Sequence, residues 1–275
     1  GGHFMLCTTC RKRPATSADG RCTTCAALRR TSAGGLMAGA RAPRGEGPHR
    51  LRSPGGLAKA VVVLLVAVVV ADVLSVAAGL NVRRVFVAIA GGDMEAYGLT
   101  LQAHLLHQRA YSLQLLALVP TAVVFVLWFR RVRLNAEVFD ASLQTMRPGW
   151  AVGAWFVPVG NFWLPRRVAG GVWAASTRAD EGRSTVSGTP MNLWWAAWVL
   201  DLVFGRYAAR TYERAELPQE VVDAIGLVVA SDVLDIVAAV LAMLFVRRLT
   251  AMQGERAAVG PTPPSAHRAS DPATY

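Results

Sequence analysis

The chain has 275 residues, 53% of them hydrophobic, a formal charge of +11 and a positive mean hydropathy. This exceeds the roughly 45–50% apolar share of ordinary soluble domains and argues for a membrane class. The charge is unevenly placed: residues 1 to 59 hold 11 Lys and Arg against Asp19 and Glu46. A basic arm of this kind suits anionic lipid or nucleic acid, and equally the cytoplasmic flank that the positive-inside rule requires.

No secretory signal is expected, because the first long apolar segment begins near Leu57, and no role is read into Gly1-Gly2-His3-Phe4 ahead of Met5. Residues 5–26 contain all four cysteines as two identical knuckles, Cys7-Thr8-Thr9-Cys10 and Cys22-Thr23-Thr24-Cys25. Each Cys-x-x-Cys turn aims two sulfurs at one ion, and Pro14 and Asp19-Gly20 let the chain double back, so the spacing predicts a tetrahedral Zn2+ site. Four thiolates close the coordination sphere, which makes the metal structural, and a ribbon this short draws its folding energy from it. A disulfide or redox pair is the alternative, disfavoured in a reducing cytoplasm. Residues 27–56, rich in Gly, Ala, Pro, Ser and Arg, read as a flexible basic linker with a reach on the order of 30 Å.

The region 57–250 holds the apolar runs, judged against the roughly 20 residues a helix needs to cross a bilayer. Leu57 to Leu80 is the first span, interrupted by Asp72. Residues 81 to 110, with Arg83, Arg84, Asp93, Glu95, His104 and His107, are expected to form an external loop. Tyr111 to Phe129 is the second span, stopped by Arg130, Arg131 and Arg133. Gly149 to Leu164 is too short to cross, contains Pro158 and Asn161 and ends at Pro165-Arg166-Arg167, so it reads as a broken or re-entrant segment. Leu193 to Tyr207 and Val221 to Val246, the latter stopped by Arg247-Arg248, complete the set, and residues 251–275 are expected to be disordered. All eight tryptophans fall between Trp128 and Trp198. Tryptophan favours the membrane–water boundary, and its crowding beside arginine suggests a bilayer-embedded core.

Charge decides the topology. If the third run turns back, the arm, Arg130-Arg131-Arg133, Arg166-Arg167 and Arg247-Arg248 all face the cytoplasm, with both termini; if it crosses, Arg247-Arg248 lie outside, against the positive-inside bias. The expected architecture is an all-α, multi-pass protein of the cytoplasmic (inner) membrane. It has about four transmembrane helices plus a broken, re-entrant or interfacial helical hairpin, preceded by a small zinc-ribbon-like knuckle.

The stretch Trp128-Phe129-Arg130-Arg131-Val132-Arg133-Leu134-Asn135-Ala136, followed by Pro148-Gly149-Trp150-Ala151 and Trp155-Phe156-Val157-Pro158, resembles the bacterial membrane family catalogued as domain of unknown function 4328. The similarity continues through Asn161, Pro165, Trp194-Trp195 and Asp232-Val233-Leu234-Asp235-Ile236-Val237, about residues 110 to 250. Members that carry a short N-terminal cysteine ribbon share this layout. The resemblance implies the architecture and assigns no catalytic or binding residue. At Gly170-Gly171 this chain departs from the pattern, where an acidic residue is expected.

Charged groups in hydrocarbon cost about 2.5–3.5 kcal/mol each on insertion scales, so each is a functional candidate. Asp232 and Asp235, three apart, share one helix face. With Asp72, Asp201 and Asn161 they line a candidate polar seam in the bundle, where the favoured reading is that they pair with Arg206, Arg210 or helix-end arginines and lock the helices. The alternative is that they bind a proton or a cation. His104 and His107 share a face but lack further ligands, and read as ordinary helix residues. Glu137 or Asp140 is expected to bridge to Arg130, Arg131 or Arg133, with Asn135 fixing the adjoining connection.

No metalloprotease helix, nucleophile elbow, phosphate loop or dinucleotide glycine pattern is present, so an enzyme is not expected. The leading expectation is a non-enzymatic anchor or scaffold that presents the ribbon to a cytoplasmic protein partner. The alternatives are a small transporter or channel component using the Asp seam, and a membrane-tethered nucleic-acid-binding protein, for which few stacking aromatics are available.

Overall fold

The structure, a computed structural model, describes residues 51–177 and 187–259, together with the isolated positions Thr8 and Thr23. The chain divides into two units, Gly1–Pro48 and His49–Tyr275, and everything that follows concerns the second. The expected zinc ribbon with Cys7, Cys10, Cys22 and Cys25, and most of the expected linker, lie outside the described residues.

Among the described residues the fold is helical throughout. Helix α1 spans Gly55–Ala90 and α2 spans Thr100–Phe139, after a 3-10 turn at Glu95–Leu99. Short elements follow: a 3-10 turn at Ala141–Leu143, α3 at Trp150–Gly153, a 3-10 turn at Gly160–Phe162 and α4 at Leu164–Ser176. Helices α5 (Thr189–Glu213) and α6 (Pro218–Val259) close the fold.

The valine run at the centre of α1 has poor intrinsic helix propensity in water. It is helical because hydrocarbon leaves a backbone no partner but itself. Pro120 sits inside α2, where its missing N–H frees a carbonyl of the preceding turn, and the Thr121 hydroxyl donates to the Ala117 carbonyl beside it at 2.6 Å. Among the described residues three helical segments are long and apolar enough to cross a membrane: Gly55–Ala90, Glu95–Phe139 and Pro218–Ala258. Together they mark a membrane-embedded protein. Helix α5, expected as a fourth span, packs along α6 but is less apolar, carrying Asp201, Arg206 and Arg210.

Helix α1 is the central member, lying against both α2 and α6. At Gly79 a β-carbon would come 2.7 Å from the Val229 side chain, so the close approach of α1 and α6 depends on its absence. The expected external loop over residues 81 to 110 is largely helix instead. The physical reason is a second apolar core, in which Val82, Val85 and Ile89 pack with Ala96, Ala103, Val221 and Ile225 and carry the helices past their most apolar windows. The connection shrinks to a turn in which Gly92 takes φ +95° and the Asp93 carboxylate accepts from the Glu95 and Ala96 N–H groups. Helix α6 likewise runs on to Val259, past the boundary at 250 expected from the sequence.

The start of α1 and the ends of α2 and α6 meet at one end of the bundle. The Asn135 amide accepts from the Arg52 N–H at 3.1 Å, donates to the Arg52 carbonyl at 2.9 Å and donates to Gln253 at 3.1 Å. The broken segment follows α2: α3 and α4 both pack against α2 and against each other, so the chain turns back here. The reversal falls at Val159, a non-glycine residue at φ 61°, a strained backbone for a β-branched side chain.

Candidate functional site: a carboxylate seam in the bundle

Asp72 of α1 and Asp232 of α6 are drawn together by Gln114 of α2. One amide nitrogen, Nε2, donates to Asp72 Oδ1 at 3.0 Å and to Asp232 Oδ1 at 2.9 Å. The second oxygen of each carboxylate is buried and without a hydrogen-bond partner. Gln114 was not among the residues singled out from the sequence. An amide inside the apolar run Tyr111–Phe129 was the available signal.

Asp201 and Asp235 lie on facing helices, α5 and α6, and line a cavity of about 720 Å³. Its remaining wall is mostly apolar and aromatic, with Phe125 from α2, Trp155 from the segment after α3, and Trp194 and Trp198 from α5. Asn161, at the reversal of the broken segment, also lines it, and its side-chain oxygen is buried without a partner. The predicted seam is therefore assembled, in two halves: Asp72 with Asp232 behind Gln114, and Asp201 with Asp235 on the cavity. Among the described residues no arginine or lysine forms an ion pair with any of the four. The expected pairing with Arg206 or Arg210 is absent there.

The aromatic residues pack mostly into the bundle. Trp128, Trp173, Trp194 and Trp195 are buried inside the bundle, with Trp194 stacked on Phe245 at 4.5 Å. Trp155 meets Phe125, Phe129, Trp195 and Trp198, which holds the broken segment on the bundle. Only Trp150 and Trp163 are exposed.

Five of the family-motif residues, Trp128, Arg131, Arg133, Asn135 and Pro165, form a clamp at the end that carries both ends of the described unit. Trp128 Nε1 donates to the Thr250 hydroxyl, Arg131 reaches the Ser53 carbonyl, and Pro165 opens α4. Arg133 is only 2% exposed and donates to Glu137 at 3.0 Å and to the Met146 carbonyl at 2.7 Å. Of the expected charge links, Glu137 with Arg133 is made. Asp140 instead caps the following 3-10 turn, and the Ser142 hydroxyl holds its carboxyl below its usual value. Gln253, also missed from the sequence, donates to the Val132 carbonyl at 2.8 Å and to Ser176 at 3.2 Å.

His104 packs its ring on Phe86 and bonds the Tyr212 hydroxyl, while His107 packs edge-on against the Tyr212 ring. Among the described residues no group of three or more His, Cys, Asp or Glu is arranged to hold a metal ion.

The seam and the clamp lie within the segment matched by a known family. A family described as a domain of unknown function, DUF4328, matches residues 97–251. No curated protein and no solved structure matches the chain.

Proposed function

The chain belongs to the DUF4328 family, which matches more than half of it, and we propose that its bundle is an intramembrane binding site for a cation. The observation that carries this is the cavity wall: Asp201 and Asp235 stand among Phe125, Trp155, Trp194 and Trp198 with no basic partner among the described residues. Carboxylate charge in a low-dielectric interior must be offset by protons or by a bound cation, and aromatic faces favour the second, especially an organic ammonium or phosphonium. Charge distribution supports an orientation with both ends of the described unit in the cytoplasm and α5 as a fourth crossing. Arg130, Arg131, Arg147, Arg166, Arg167, Arg247 and Arg248 gather at that end, while Arg83, Arg84, Arg206, Arg210 and Arg214 at the other are accompanied by Asp93, Glu95, Glu213, Glu216 and Glu220.

Tetraphenylphosphonium binding to the detergent-solubilised protein, followed by tryptophan quenching, tests the proposal. Asp201→Asn and Asp235→Asn are each expected to weaken binding by about tenfold or more, the scale of one charge-assisted contact. Wild type without saturable quenching, or variants that bind equally well, would reject it.

A second reading, the membrane anchor, is favoured by the cysteine spacing. In it the basic tether presents a zinc-ribbon docking module at the inner face. The purified protein is then expected to hold about one zinc per chain, released by chelation together with four titratable thiols. Metal-free or disulfide-bonded cysteines would sink this reading without touching the first.

A further inference from the structure

At the end of the bundle opposite the clamp, Arg206 and Arg210 of α5 and Arg214, its C-cap in helical conformation, succeed one another at intervals of four, which places them on one face. They line a groove of about 690 Å³ together with the hydroxyl-bearing Tyr207 and Thr211, and no acidic residue lines it. Like charges spaced this way repel one another, and among the described residues none of the three has an ion-pair partner. We propose that this groove binds the phosphate headgroup of an anionic membrane lipid.

The level of the groove identifies the source of the phosphate. The Tyr212 hydroxyl lies 3.3 Å from His104 Nδ1 of α2, which brings Arg210 and Arg214 level with the polar residues ahead of the apolar run Tyr111–Phe129. The groove thus begins at the edge of the hydrocarbon. Its other end is apolar, formed by Leu202, Val203 and Phe162, with Val203 55% exposed. A soluble phosphate would leave that end unused, whereas a lipid lays its glycerol and upper chain along it. Guanidinium groups suit the task, because their planar fork donates two hydrogen bonds at once to phosphate oxygens. The groove shares Asn161 and Leu202 with the edge of the cavity, but none of the four seam carboxylates lines it.

The test compares three probes on the full chain in detergent: dioctanoyl phosphatidylglycerol, dioctanoyl phosphatidylcholine and inorganic phosphate, with bound states counted by native mass spectrometry. Phosphatidylglycerol is expected to bind saturably and roughly a hundredfold tighter than phosphatidylcholine, with inorganic phosphate far weaker. Replacing all three arginines (R206Q, R210Q, R214Q) is expected to remove that preference. Each exposed arginine should contribute about fivefold, the scale of one basic residue at an anionic lipid surface. If the triple variant does not assemble, R210Q alone, on an exposed position, is expected to lose that single fivefold step. Equal binding of the two lipids, a preference that survives the substitutions, or inorganic phosphate matching phosphatidylglycerol would each overturn the proposal.

Discussion

Arg133→Met is expected to destabilise the bundle by about 3 kcal/mol, read as a lower thermal midpoint and as earlier unfolding in denaturing detergent. Breaking a buried pair by removing one partner typically costs about 3–5 kcal/mol, because the other is left uncompensated. The lower end applies here, since Glu137 is 31% exposed and can recover water. The Met146 carbonyl has no such recourse: it loses a 2.7 Å charge-assisted bond in a part-buried position, and with it the tie between α2 and the chain leading to α3. Arg133→Lys keeps the charge but not the fork, so it should satisfy one acceptor and recover only part of the loss. Adding Glu137→Met to Arg133→Met should recover part as well, because an apolar pair removes the stranded charge. A single variant as stable as wild type would show that the guanidinium is a replaceable stop signal rather than a clamp.

That distinction was not visible in the sequence. Arg130, Arg131 and Arg133 read there as one cytoplasmic stop, because a run of arginine after an apolar segment carries no record of burial. Folding separates them: Arg130 is exposed, Arg131 reaches the Ser53 carbonyl, and Arg133 turns inward. The apolar runs, the break at Pro158 and the shared face of Asp232 and Asp235 were legible, since each follows from local composition or helical period. Helix lengths were not. Residues such as Val82, Val85, Ala103 and Ile225 are held in helix by a partner distant in sequence, and a local hydropathy window stops where the run becomes mixed. The two glutamines were missed for a related reason. An amide has no periodicity of its own, and its role appears only when three helices bring acceptors to it.

Gln114→Leu is the sharpest test of how the seam is held. The amide uses both of its N–H groups, one on each carboxylate, so leucine deprives Asp72 and Asp232 of their shared donor and leaves two acceptors facing each other across α1 and α6. Interhelical hydrogen bonds in membranes average about 0.6 kcal/mol and reach about 1.7, so two of them with added like-charge repulsion suggest a loss of about 2–3 kcal/mol. Asp72→Asn in the same chain should return a good part of that stability. It removes one charge and supplies an amide able to donate to Asp232. Tetraphenylphosphonium affinity, by contrast, should stay within about twofold of wild type, because Asp201 and Asp235 line the cavity and Gln114 does not. Stability and binding would then separate along the two halves of the seam: Asp72 and Asp232 join helices, while Asp201 and Asp235 face a ligand. A variant that loses binding and stability together would show instead that the four carboxylates act as one site, with Gln114 as its keystone.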